Sequence, residues 1–78
     1  MKVTVYSTST CPWCDRLKQW LKEKKVEFNS IDVGEDEEAA REMVEKSGQM
    51  GVPVTDVDGK IVVGFDVEML KKLLKIKN

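Results

Sequence analysis

Histidine is absent from the 78-residue chain, which removes the commonest metal ligand and the side chain that ordinarily titrates near neutrality. Metal or acid-base chemistry must rest on other groups. Long apolar runs are also absent. The N-terminal Met1-Lys2-Val3-Thr4-Val5-Tyr6 meets Ser7 and Thr8 at once, too short a stretch for a secretory h-region, and no segment approaches the roughly 20 apolar residues of a membrane span. A cytoplasmic protein with no membrane partner is expected. Charged residues make up 35% of the chain, yet 13 basic and 14 acidic side chains nearly cancel, so no global field marks a nucleic-acid partner. Linkers, repeats and low-complexity tracts are missing as well. A chain of this size can bury roughly 60% of its unfolded surface and holds one core, so a single domain over residues 1–78 is expected, as a monomer.

Cysteine is scarce, with two in the chain, and both fall in Cys11-Pro12-Trp13-Cys14. A bridge so local closes a tiny loop and constrains the unfolded chain little, which argues against a structural staple. Zinc in a structural site wants about four protein ligands, and two cysteines without a histidine do not supply them. No metal site is expected. What remains is redox chemistry.

The pattern along the chain places that pair. Lys2 to Ser7 holds the β-favouring Val3-Thr4-Val5-Tyr6, and Thr8-Ser9-Thr10 reads as the loop that follows. Pro12 suits the first turn of a helix, which Leu17, Trp20, Leu21 and Lys24 continue toward Lys25. Val26 to Asp32 alternates imperfectly and reads as a second strand. Glu35 to Glu38 open a second helix whose apolar stripe is Ala39, Ala40, Met43 and Val44, closed by Lys46 and Gly48. Pro53 to Val57 and Lys60 to Val63 flank Asp58-Gly59, a strong two-residue hairpin signal. Asp66 then reads as the N-cap of a last helix with Val67, Leu70, Leu73 and Leu74 on one face and Lys71, Lys72, Lys75 and Lys77 toward its end. The order is β-α-β-α-β-β-α, an α/β fold around four strands, with the first helix crossing between parallel strands.

Cys11 falls at the start of the first helix, where unpaired N–H groups and the positive end of the macrodipole favour a thiolate. Cys14 precedes Leu17 by three residues and Leu21 by seven, which puts it on the core-facing stripe. One accessible sulfur and one sheltered sulfur suit an attacking and a resolving thiol. Pro12 stiffens the turn between them, and Trp13, about 100° around the helix from Cys14, either flanks the sulfur as a substrate contact or packs as an ordinary partly exposed tryptophan. Trp20 reads as core, Met43, Met50 and Met69 as gap-fillers, and Arg16, Lys18 and Lys22 as a solvated helix face.

With a C-x-x-C opening a helix after the first strand, the chain resembles the thioredoxin superfamily, and within it the glutaredoxins and glutaredoxin-like redoxins, over essentially its whole length. Tyr6-Ser7 before the cysteines, Val52-Pro53 at the start of the hairpin and Gly64-Phe65-Asp66 before the last helix carry the resemblance. It implies a thioredoxin-like fold, a four-stranded mixed sheet with helices on both faces, and a dithiol thiol-disulfide oxidoreductase that acts on protein disulfides or glutathione mixed disulfides. No tightly bound cofactor is implied, and glutathione is the implied reductant. The Val52-Pro53 bond is cis in that family, which would offer the Val52 backbone to an extended substrate, the plainer role of Pro53 being a strand start. Gly64, Phe65 and Asp66 would meet the γ-glutamyl end of glutathione, the plainer role of Asp66 being the cap alone. The family's lysine three residues before the first cysteine is Thr8 here, and the basic residue it often has later is Gln49. Its first glycine of a Gly-Gly pair is Val63, and its central tyrosine is Trp13. An alternative is therefore a redoxin recharged by thioredoxin reductase, such as an electron donor to ribonucleotide reductase. A third is an iron-sulfur carrier dimer, each subunit giving Cys11, with glutathione completing the ligands.

Overall fold

The computed structural model describes residues 2–75. Strand β1 (Val3–Ser7) lies inside a four-stranded sheet of order β2-β1-β3-β4, with β2 at Asn29–Asp32, β3 at Val54–Val57 and β4 at Lys60–Val63. It pairs in parallel with β2, Tyr6 opposite Ile31, and antiparallel with β3, Tyr6 opposite Val54. Alternation along β1 divides its side chains between two layers. Val3 and Val5 join Leu17 and Leu21 of helix α1 (Pro12–Glu23) and Leu70 of helix α3 (Val67–Leu74) in one apolar cluster. Tyr6 points the other way and packs with Ala39 and Met43 of helix α2 (Glu37–Ser47) and with Val54. The sheet is thus covered on both faces, as the resemblance implies.

Local chemistry sets most boundaries. The Asp36 carboxylate caps α2, accepting from Ala39 N–H at 3.1 Å, and Gly48 ends it in the left-handed region at φ 75°, where a residue without a Cβ is unstrained. Asp58 and Gly59 both have positive φ, the backbone that a two-residue hairpin demands. Asp66 caps α3 by accepting from Met69 N–H at 3.1 Å. Lys71 and Lys72 fall in the last turn of α3 and Lys75 is its C-cap, whereas Lys77 lies outside the described residues.

Three expectations need correction. The second strand begins at Asn29 rather than Val26, the parallel register with β1 starting at the pair Thr4 with Asn29. Val26 and Phe28 instead pack against the α1 cluster from an irregular segment, where Val26 N–H donates to Leu21 O at 2.9 Å. Apolar alternation there marked burial, not a ladder. Of the methionines among the described residues, only Met43 fills the core: Met50 is 82% exposed and Met69 is also exposed. Trp20 is half-buried against the cluster rather than fully interior.

A candidate dithiol site at the start of helix α1

Cys11 is the N-cap of α1, with extended backbone, and Pro12 is its first helical residue. The missing N–H of Pro12 is no loss at that position. The next turn directs Cys14 N–H at the Cys11 sulfur, 3.2 Å away, so the helix's own backbone donates to the sulfur at its tip. The Cys11 thiol in turn faces the Val52 carbonyl at 3.9 Å. Both sulfurs are free, Cys11 partly accessible and Cys14 at 0% exposure. Burial pushes the Cys14 thiol up to about 11, and its contact with Cys11 adds to the rise, while a Thr8 backbone contact and the charge of Lys18 work against it. The sheltered sulfur is therefore a protonated thiol near neutrality.

The hairpin completes the site from the other side. The Val52-Pro53 peptide is cis, as the resemblance implies. Gly64 N–H donates to Pro53 O at 2.8 Å, extending the β3–β4 pairing by one step and drawing Gly64 and Phe65 beside Val52 and Pro53. Together with Trp13 these residues line a groove of about 330 Å³. Trp13 is 55% exposed, its ring tilted against Phe65 with centroids 6.4 Å apart, and Phe65 meets Trp20 edge-on at 6.3 Å. The groove is apolar and shallow, open to an extended backbone more than to a compact polar ligand.

Not every expected residue reaches it. Gln49 is spent on its own loop: its side-chain amide donates to Gly51 O at 2.9 Å and accepts from Gly51 N–H at 2.6 Å, with Ser47 bracing the same turn. Thr8 touches the site through its backbone, beside Cys14, and its side chain carries no charge. The Asp66 carboxylate is engaged in capping α3. Sequence reasoning missed Arg16, whose guanidinium lies 4.9 Å from the Trp13 ring centroid as a cation over its face. The i, i+3 spacing of Trp13 and Arg16 on α1 was the available signal.

Among the described residues no group of three or more Cys, Asp or Glu side chains converges on a common point that could hold a metal ion. No helix among them is long and apolar enough to cross a membrane. A larger concavity, of about 960 Å³, lies between Lys2, Lys18, Lys22 and Phe28 and is lined by neither cysteine. Chemistry, not size, therefore locates the site.

Comparison with known proteins agrees with the fold. The family model for glutaredoxin matches residues 3–62. A glutaredoxin-like 8.6 kDa protein in the rubredoxin operon of Clostridium pasteurianum is 42% identical, the match covering 94% of this chain and 97% of that one. The glutaredoxin-like protein NrdH of Lactococcus lactis subsp. cremoris is 37% identical over 91% of this chain and 97% of its own. Among solved structures, the glutaredoxin of Archaeoglobus fulgidus superposes with a TM-score of 0.87 at 33% identity, covering 95% and 86% of the two chains.

Proposed function

The chain belongs to the glutaredoxin family of thiol-disulfide oxidoreductases, and from that membership we propose that it is a dithiol reductase of protein disulfides in which Cys11 attacks and Cys14 resolves. The observation that carries the assignment is the asymmetry of the pair. Cys11 is reachable and receives the Cys14 N–H at 3.2 Å, whereas Cys14 is fully buried. The Cys11 thiolate displaces one sulfur of a substrate disulfide, forming a mixed disulfide and releasing a thiolate. Cys14 then loses its proton and attacks the Cys11 sulfur, the Cys11–substrate bond breaks, and the second substrate sulfur leaves reduced. The extended substrate lies along Val52 and Pro53, between Trp13 and Gly64-Phe65, and Val52 offers its backbone to it.

For the source of electrons, the surroundings favour a thioredoxin reductase over glutathione. Glutathione needs cations for its glycyl carboxylate, and the expected positions hold a neutral Thr8 and a Gln49 already tied to Gly51. Asp66 is occupied as a cap, which leaves α3 without a side chain committed to a ligand. Protein substrates, by contrast, are met by an apolar groove and exposed Trp13 and Met50. Two assays test the reading. Insulin or another protein disulfide is offered with NADPH and thioredoxin reductase, and separately with glutathione and glutathione reductase; faster turnover with the first is expected, and faster turnover with the second overturns the reductant. Cys11→Ser abolishes reduction and Cys14→Ser accumulates mixed disulfide; unchanged turnover in the Cys11 variant overturns the roles.

A further inference from the structure

The residues that line the groove beside the two cysteines, Trp13, Val52, Pro53, Gly64 and Phe65, are all uncharged. A cation nevertheless stands at its rim. The Arg16 guanidinium lies 4.9 Å from the centroid of the Trp13 ring, and Phe65 meets the same ring with centroids 6.4 Å apart. Two contacts thus hold a tryptophan that is 55% exposed. Trp13 and Arg16 are three residues apart on α1 and share one side of the helix. Lys18 and Lys22, about 200° and 240° around the helix from Arg16, line the separate concavity with Lys2 and Phe28.

Among the described residues no carboxylate takes up the charge of Arg16. Its side chain is exposed, and the ion pair formed there is Lys46 with Asp56. Asp15, its neighbour in sequence, projects about 100° away around the helix and does not pair with it. A guanidinium carries five N–H donors in one plane, and contact with a ring through its face leaves the donors at its edge for a further partner. The ring also restrains the side chain, so less rotamer freedom is lost when that partner arrives. The group that fits such a fork is a carboxylate, held by two parallel N–H donors.

We propose that Arg16 is a specificity-determining residue, which favours protein disulfides that carry an Asp or Glu side chain close in sequence to the cystine. The proposal rests on the reading of this site as a reductase of protein disulfides and names the substrate class within it. Cys11 and Arg16 are five residues apart on α1, which is about 7.5 Å along the helix axis. An extended substrate advances about 3.3 Å per residue, so an acid two or three positions from the cysteine held at Cys11 comes level with the guanidinium. Arg16 does not line the groove itself, and it is a different position from Thr8 and Gln49, where the resemblance puts the cations for glutathione. The whole chain carries a net charge of −1, so no global field draws an acidic substrate in and the preference comes from this local contact.

The test uses the full chain, reduced chemically beforehand so that the choice of electron donor does not enter. Two short peptides are offered, each closed by an internal disulfide and identical except for a Glu or a Gln two positions from one cysteine. The readout is the ratio of their second-order rate constants for reduction, Glu over Gln. The parent should give a ratio of about two to five at low salt, the size an exposed charge pair supplies, falling toward one as salt is raised. Arg16→Met keeps an apolar side chain against the Trp13 ring and should bring the ratio close to one, and Arg16→Glu should push it below one. Circular dichroism checks the folding of each variant, and the salt series needs no variant at all. A ratio near one in the parent overturns the proposal. So does a parent-like ratio in Arg16→Met, even with both peptides slowed, since Arg16 would then only prop Trp13. A parent that reduces neither peptide overturns the functional reading itself, and the proposal with it.

Discussion

The elevation of the Cys14 thiol gives a stability prediction that can be worked through with its sign. In the folded reduced protein this thiol lies near 11 against an ordinary 9.0, chiefly because burial penalises its anion. A proton held more tightly by the folded than by the unfolded chain stabilises folding at pH values below both. That contribution is complete below about 9 and is lost as pH rises through about 11. Two pKa units correspond to about 2–3 kcal/mol, a sizeable share of what a domain this small possesses. The assay is urea unfolding of the fully reduced protein at a series of pH values, set against Cys14→Ser, so that the lysines and Tyr6 cancel in the difference. The difference in unfolding free energy between the two proteins should shrink steadily across that alkaline window. A difference that stays constant with pH would refute the claim that burial holds this proton. The Cys11–Cys14 disulfide form has no thiol to ionise and should lack the effect. In the proposed mechanism, the same shift lowers the Cys14 thiolate fraction about a hundredfold near neutrality, which would keep the resolving sulfur from competing with Cys11 for incoming disulfides.

Three further outcomes follow from the surroundings of the pair. Converting Thr8 and Gln49 together to lysine should raise turnover with glutathione by at least about tenfold, since a charge-assisted hydrogen bond contributes about 1.5–3 kcal/mol; no gain in the glutathione-coupled assay would show that charge is not what the site lacks. Asp66→Ala should cost about 1 kcal/mol in chemical unfolding through loss of the α3 cap. Its turnover with thioredoxin reductase should be preserved, and a large loss of turnover without a loss of stability would make Asp66 a substrate contact. Lys46→Met removes the 2.9 Å ion pair with Asp56 and the 3.2 Å hydrogen bond to Tyr6 Oη. Burial pushes the Asp56 carboxyl up, but hydrogen bonds from Lys46 and Gly59 more than offset this and leave it below its ordinary value. Stability from this pair is thus present at neutral pH and lost as pH falls through the carboxylate range. The variant should be about 1 kcal/mol less stable near neutrality, with the gap closing in acid, as measured by urea unfolding at both.

What the sequence made legible, and what it did not, follows from how local each signal is. The register of Cys11 and Cys14 on α1, the Asp58-Gly59 turn and the Asp66 cap depend on residues within a few positions of one another, and each is where the pattern puts it. The starting point of β2 is set by its register with β1, a partner more than twenty residues away in sequence, so alternation through Val26 and Phe28 over-extended it. Strand β3 hid more. A run of Val54-Thr55-Asp56-Val57 suggests a strand with a wet side, yet β3 lies inside the sheet and is covered on both faces, so both polar residues turn inward. Asp56 pairs with Lys46, which also reaches Tyr6 Oη, on the α2 side, whereas Thr55 Oγ1 on the α1 side has no hydrogen-bond partner among the described residues. The substitutions at Thr8 and Gln49 were visible as missing charges, but only the fold shows that Gln49 has both ends of its amide committed to Gly51. The four-residue motif therefore fixes the kind of chemistry, while its neighbours decide its terms. In the proposed mechanism, a neutral, apolar entrance would select a protein partner over a small anionic thiol, and a buried, tightly held proton on Cys14 would order the two thiols in time.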